Sequence, residues 1–377
     1  MRGLRVHLTG SAAKSCDRAL LRTAHTFVQA FVKDIVGKGG GLVLGAGSEP
    51  LGDFGEPCIF DWTAFQVVAE AHDPAPAWPA LRPERFVAVA SQRGLEKVPN
   101  QRADIWKQCR NRSDFRLEVA PPGWRIAGLI RERQLVRGDI LVALGGGAGT
   151  EHLAERYRDE GKPVLPIHAE LGSLNNDGNG GSRFLHERAL AGPDQFFRLR
   201  DGAGSAAGRL SSLRLKQDTD STALAAELVQ VLADLRPPSA FYVRLLANDH
   251  QDYPEVERFF RDVVDEVVVD RGFTPREMGR ANPERAFMNV EIFEALHRAG
   301  LVIVDLTGIR PNCMMELGYA LARRRRFIIS AKQGTALPFD EDKLRTYLWE
   351  DDGTPAERIC SYRDWFDRYS ELPPLVE

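Results

Sequence analysis

An α/β fold of two domains, each a mainly parallel sheet flanked by helices, is predicted by three features of the chain. Short apolar runs alternate with longer stretches of helical periodicity along most of its length. Glycine-bearing turns follow several of those runs, at Thr9-Gly10-Ser11, Gly45-Ala46-Gly47-Ser48 and Gly145-Gly146-Gly147-Ala148-Gly149-Thr150. Arg236-Pro237-Pro238-Ser239 then punctuates the chain, and a fresh βα pattern starts beyond it. The boundary is placed there, giving domains 1–236 and 240–377, both Rossmann-like in their alternation.

The elements follow in order. A strand is expected over Leu4–Leu8, a helix over Asp17–Val36, and a second strand over Gly41–Leu44. Phe86–Ala90 is a third strand, Ile126–Arg137 a helix, Ile140–Leu144 a strand, Glu151–Glu160 a helix and Pro163–Ile167 a strand. Segments 172–183 and 201–212 are rich in Gly, Ser and Asn and read as loops that could gate a ligand. Thr222–Leu235 is an amphipathic helix. In the second domain Phe241–Leu246 is a strand, Glu255–Val269 and Asn289–Ala299 are helices, and Phe327–Ser330 is a further strand. Between them, Leu301-Val302-Ile303-Val304 is an apolar run too short for a helix, and it ends in Asp305. Gly308 and Pro311 punctuate the loop that follows, and Asn312 stands where a helix N-cap belongs, ahead of Cys313-Met314-Met315-Glu316-Leu317.

Composition excludes several classes. The chain has 377 residues, 43% hydrophobic and 27% charged, with a formal net charge of −3, so no basic excess suggests a nucleic-acid coat. The one dense basic run, Arg323–Arg326, suits the cationic end of a helix or an anion contact. Cys16, Cys58, Cys109, Cys313 and Cys360 are scattered and odd in number, which argues against a disulfide framework and a structural zinc site. No His/Cys/carboxylate cluster has ligand spacing, so no metal is expected. No apolar run reaches the roughly 18–20 residues of a membrane span, and MRGLRVHLTGS reads as strand and turn rather than signal peptide, so the expected location is cytoplasmic.

Two sets of residues carry chemistry. Asp305 ends a strand and Glu316 lies on the next helix, at the sheet edge where open α/β folds bind ligands. Breaking an N-glycosidic bond builds positive charge on the sugar; one carboxylate can stabilise that charge or attack, and a second can hold hydroxyls or activate water. Each also has a plain structural role open to it, Glu316 as a first-turn glutamate and Asp305 as a turn cap. In the first domain the glycine turns let backbone N–H groups approach a phosphate at a helix N-terminus. None is a Walker loop, since no GK[ST] ends them, and none gives a full GxGxxG with a suitably placed acid.

GDILVALGGGAGTEHLAE, residues 138–155, is similar to the PGGxGTxxE signature of the LOG phosphoribohydrolases, and residues 4–170 resemble the SLOG superfamily to which LOG and DprA proteins belong. Gly145 replaces the signature's proline and Leu153 its catalytic glutamate, with Glu151 and His152 on other faces of the helix. The resemblance therefore implies a nucleotide cradle without phosphoribohydrolase chemistry, as in STALD-like sensor domains that bind cyclic ADP-ribose-type signals. Its residues here would be Thr9, Gly10, Ser11, Gly45, Gly47, Ser48, Gly146, Gly147, Gly149, Thr150 and Glu151, with Arg131 and Arg133 upstream.

Residues 241–349 resemble the nucleoside 2-deoxyribosyltransferases and the related TIR-like domains, through Phe241-Tyr242, Asn289-Val290-Glu291, Asp305 and Pro311–Ala320 with its ELGYA segment. That resemblance implies Glu316 and Asp305 as catalytic carboxylates and Tyr242, Asn248, Asp249, Asn312 and Met315 as substrate contacts; His250 is a weaker base candidate. Glu316 is left open as nucleophile or electrostatic stabiliser. The combination implies a signal-activated effector of anti-phage defence that cleaves an N-glycosidic bond in NAD⁺ or another nucleotide, with NAD⁺ as substrate rather than cofactor, as a homo-oligomer; composition argues against membrane and nucleic-acid partners. The alternatives are a salvage deoxyribosyltransferase or phosphoribohydrolase, and a binding module without catalysis.

Overall fold

Strands covered on both faces must be apolar throughout, and the short runs of this chain are of that kind. The computed structural model describes residues 4–71, 84–123, 126–175, 181–277, 288–323, 325–337 and 344–370. Residues 176–180 of the first glycine-rich loop, Arg324 of the basic run and the side chains of Asn289 and Val290 lie outside that description. The described residues fall into two compact units, Met1–Arg236 and Pro237–Glu377.

The first unit holds a sheet of β1 (Arg5–Thr9), β2 (Gly41–Gly45), β3 (Phe86–Ser91), β4 (Phe115–Ala120), β5 (Ile140–Leu144), β6 (Val164–Ala169) and β7 (Arg214–Leu215), in the order β4-β3-β2-β1-β5-β6-β7. Every neighbouring pair is parallel. The order runs outward from β1 to β4, then reverses at β5, so the sheet's switch point lies between β1 and β5, where the loops diverge and leave a crevice.

The helix Arg18–Gly37 shows how the sequence sets its own limits. Asp17 caps it, its carboxylate accepting the Leu20 N–H at 2.8 Å. Leu20, Ala24, Phe27, Val28, Phe31 and Ile35 form a buried stripe at helical spacing. Gly39, at φ +78°, turns the chain out of it. Asp17→Ala should cost about 1 kcal/mol and lower the melting temperature of the unit by roughly 2–4 °C in calorimetry.

The second unit has β8 (Ser239–Val243), β9 (Thr274–Arg276), β10 (Leu301–Asp305), β11 (Phe327–Lys332) and β12 (Thr346–Trp349), in the all-parallel order β12-β11-β10-β8-β9. Its switch point lies between β8 and β10. Alternation along the strands divides the core. Ala240, Tyr242, Leu301, Ile303 and Ile328 face Phe259, Val263, Tyr362 and Phe366. Phe241, Val243, Val302 and Val304 face Leu296, Cys313, Leu317 and Ala320 on the opposite side.

Several boundaries differ from expectation. β8 starts at Ser239 and ends at Val243, because Arg244 turns to pair with Glu257 and Glu277. The expected helix Glu255–Val269 is a rod from Tyr253 to Asp270 with a π turn at Phe260–Val264. β4, β7, β9 and β12 carry no apolar run strong enough to announce them. β4 mixes Arg116 and Glu118 with apolar residues, as an edge strand can, and β9 has three residues including Pro275, which an edge tolerates. Among the described residues no helix is long and apolar enough to cross a membrane.

Candidate functional sites

Glu316 sits on the helix Pro311–Ala322, which follows β10 at the switch point of the second unit. Cys313, Leu317 and Ala320 pack that helix onto the sheet, while Asn312, Met315 and Gly318 stay exposed. Glu316 lies between these faces, half-buried, with no hydrogen bond or ion pair among the described residues. Burial alone pushes its carboxyl up to about 7. The neighbouring Cys313 thiol is pushed up to about 12, first by burial and then by the charges of Glu316 and Asp305, so it is no nucleophile.

Asp305 occupies a different place from the one its position in sequence suggested. It shares the parity of Leu301 and Ile303, so its side chain lies on the face of β10 away from the Glu316 helix. It is fully buried. The Thr307 N–H donates to Oδ1 at 3.1 Å, and Ser330 Oγ and Trp349 Nε1 donate to Oδ2 at 2.7 and 2.8 Å. Burial raises its carboxyl above the usual range against the pull of those donors. With these contacts Asp305 anchors the start of the 306–310 loop and meets no open surface.

Tyr242 is likewise turned inward, its hydroxyl donating to Asp265 at 2.8 Å beside the Phe260 ring. Asn312 is not the N-cap: Arg310 holds that position and Pro311 begins the helix, where its fixed φ fits and its missing N–H costs nothing. Asn248 and Asp249 are exposed on the loop after β8. His250, next to them, lies over Gly308, where a Cβ would come within 2.9 Å of the ring. Gly308 and Ile309 both have positive φ, +74° and +43°, and the β-branched Ile309 pays for that conformation. Backbone strain is thus stored in the turn that leads into the Glu316 helix.

In the first unit the glycine loops meet at the β1/β5 switch point, with many of their donors engaged internally. Gly145 N–H donates to Ser182 Oγ at 2.7 Å, Gly146 N–H to the Ser11 carbonyl at 2.7 Å, and Gly45 N–H to Asp61 Oδ1 at 2.6 Å. The Gly47 carbonyl accepts from Trp62 Nε1, and Glu151 accepts the Gly181 N–H at 2.8 Å. Gly10, at φ +140°, is required because a Cβ there would stand 1.8 Å from the Leu144 carbonyl oxygen. Thr150 packs against Gly146, Ser48 is exposed, Thr9 is half-buried at the end of β1, and Leu153 is core.

What remains available is the amino end of the helix Ala148–Asp159. The Gly147, Ala148 and Gly149 N–H groups have no acceptor among the described residues. Arg131 stands against Gly149: a Cβ there would sit 2.5 Å from its Nη2. The Arg131 guanidinium has no partner among the described residues. A cation beside a helix N-terminus is an arrangement that an anion relieves. Arg133 is two residues on, on the helix side of Arg137, which pairs with Glu118, so the structure separates the two arginines. Arg131→Ala should weaken binding of a phosphate-bearing nucleotide by about 10–100-fold in calorimetry.

Two residues at this edge were not singled out from the sequence. Asp61 opens the helix Asp61–Glu70, and burial raises its carboxyl to about 6. Gln134, one helical turn beyond Arg131, is 8% exposed with no hydrogen-bond partner for its amide among the described residues. Neither belongs to a motif. Among the described residues no group of three His, Cys, Asp or Glu could hold a metal.

Comparison with known proteins bears on the first unit. The family described as ATP nucleosidase Cap17-like, N-terminal, matches residues 1–232. Two curated relatives, both ATP nucleosidase Cap17, one from Escherichia coli strain KTE188 and one from Escherichia coli, are each 28% identical over 194 residues. Those residues are 51% of this chain and 37% of each relative, so the match spans little more than a third of the relatives' length. The family match covers well over half of the chain, which therefore belongs to the Cap17-like N-terminal family.

Proposed function

We propose that the chain is a nucleotide-signal-activated effector in which the first unit binds the signal and the second cleaves an N-glycosidic bond. The observation that carries the second half is Glu316: a half-buried carboxylate without a partner, on the helix beside the β8/β10 switch point. As the glycosidic bond lengthens, positive charge develops on the sugar, and an ionised carboxylate beneath the ring stabilises it or bonds to the anomeric carbon before water completes hydrolysis. Asp305 acts by holding the 306–310 loop. Asn248, Asp249, Asn312 and Met315 surround the same edge as substrate contacts.

The first half is supported by the unpaired Arg131 at a helix N-terminus, and by Leu153 in place of the glutamate that a LOG-type enzyme would need. NAD⁺ is the substrate that the TIR-like resemblance favours. ATP is the second reading, favoured by the name of the relatives, ATP nucleosidase. A place in anti-phage defence, and action as a homo-oligomer, follow from the SLOG resemblance and belong to the same proposal.

The test is to incubate the full chain with NAD⁺, ATP and deoxynucleosides, with and without candidate cyclic nucleotides, and to resolve released base by chromatography. Release that requires a signal and disappears in Glu316→Ala is expected. Signal-independent deoxyribose transfer would point to salvage instead. Tight nucleotide binding without turnover would leave only a binding module.

A further inference from the structure

Gln134, on the helix Ile126–Arg137, is a buried residue whose side-chain amide no other described residue engages. The residue is 8% exposed, and its amide keeps some solvent contact, so a ligand can meet it. Its Nε2 lies 3.7 Å from the point where a Gly45 Cβ would stand, and Asp61 Oδ1 lies 3.3 Å from the same point. An acid and an amide thus converge at the carboxyl end of β2, next to β1 in the sheet. Asp61 accepts the Gly45 N–H at 2.6 Å and its own backbone N–H, and the residue keeps part of its surface open.

The helix Ile126–Arg137 links this pair to the anion end. Arg131 and Gln134 are three residues apart on one helix face, so Arg131 reaches Gly149 while Gln134 reaches Gly45. A nucleotide carries its 5′-phosphate and its ribose hydroxyls on one sugar, so a single ligand presents both chemistries that these two places would bind. In nucleotide-binding parallel sheets, an acid beyond the second strand takes those hydroxyls.

We propose that Asp61 and Gln134 bind the ribose hydroxyls of a nucleotide whose phosphate lies between Arg131 and the amino end of the helix Ala148–Asp159. The signal would then be a nucleotide with a free ribose hydroxyl beside that phosphate, of the 5′-nucleotide or ADP-ribose class. It would not be one in which both hydroxyls are esterified. The inference rests on the first unit being the nucleotide-binding unit.

Titration calorimetry on the full chain with AMP and ADP-ribose, each against its 2′-deoxy and 3′-deoxy counterparts, tests it. The wild type should bind the ribose form about 10–100-fold more tightly than at least one deoxy form, the range for a hydrogen bond to a charged group. Asp61→Asn and Gln134→Leu should bring that ratio close to one with little change for the deoxy ligand, whereas Arg131→Ala should weaken both forms alike. A purely structural Asp61 would leave the ratio untouched. If Asp61→Asn does not fold, Gln134→Leu carries the same comparison. Binding with a wild-type ratio of one, or a ratio that survives both substitutions, overturns this inference alone. Failure of every probe to bind the wild type overturns the nucleotide-binding reading and this inference with it.

Discussion

Glu316→Gln is expected to cut base release by at least about 10²-fold, the scale on which a preorganised electrostatic group supports a charged transition state. The pH dependence identifies the group. The carboxyl is raised to about 7 by burial, and only its ionised form can stabilise or attack an electron-poor anomeric carbon. Release by the wild type should therefore rise through pH 7 and, well below it, fall about tenfold per pH unit. The residual activity of Glu316→Gln should lack that limb. Stability should move the other way. Because the folded value lies above the ordinary 4.5, the native state holds the proton more tightly than the unfolded chain does. The favourable contribution of Glu316 is complete below about 4.5 and is lost as pH rises through about 7. Glu316→Gln should consequently melt no lower than the wild type at pH 8, which is how a residue kept for chemistry behaves. A flat profile between pH 5 and 8, or a glutamine variant with wild-type turnover, would remove Glu316 from the reaction.

The sheets were legible because parallel strands buried on both faces are written as apolar runs, as in Leu301–Val304 and Ile140–Leu144. Glycines at strand ends located both crevices, though not the purpose of each glycine. A Cβ on Gly10 or Gly145 would meet backbone oxygen, of Leu144 or Ser11, and one on Gly146 the Thr150 hydroxyl, while the Gly145 and Gly146 N–H groups already bond Ser182 Oγ and the Ser11 carbonyl. The carboxylates show a second limit. Asp305 and Glu316 are close in sequence and both affect Cys313, yet the period of two in β10 turns Asp305 to the opposite face. That parity can be read from the strand; which face receives the following helix is decided only by the three-dimensional path. Asp61 and Gln134 were illegible for a different reason. Each becomes informative only through a tertiary neighbour, Gly45, that no local pattern connects to it.

Asp305→Ala should be among the most destabilising single changes in the second unit, by roughly 3–5 kcal/mol. It would leave three donors without their acceptor: the Thr307 N–H, the Ser330 hydroxyl and the Trp349 indole N–H. Ser330 and Thr307 are buried and Trp349 is 2% exposed, so water cannot readily replace the carboxylate. Against a total stability of about 5–15 kcal/mol this is a large fraction, and the melting temperature should fall by more than about 10 °C. Asp305→Asn keeps one carbonyl oxygen for the Ser330 and Trp349 donors and turns its amide against the Thr307 N–H, so it should lose less. It also isolates the charge. Asp305 has a folded pKa above its ordinary 3.8, so its contribution to stability is full below that value and declines as pH rises through the folded pKa. The asparagine lacks this decline. Denaturant melts at pH 4 and pH 8 should therefore show the gap between wild type and Asp305→Asn narrowing as pH rises, while Asp305→Ala stays low throughout. If the gap instead widened with pH, the ionised carboxylate would be the stabilising species, and Asp305 would be holding its loop by charge rather than by accepting hydrogen bonds.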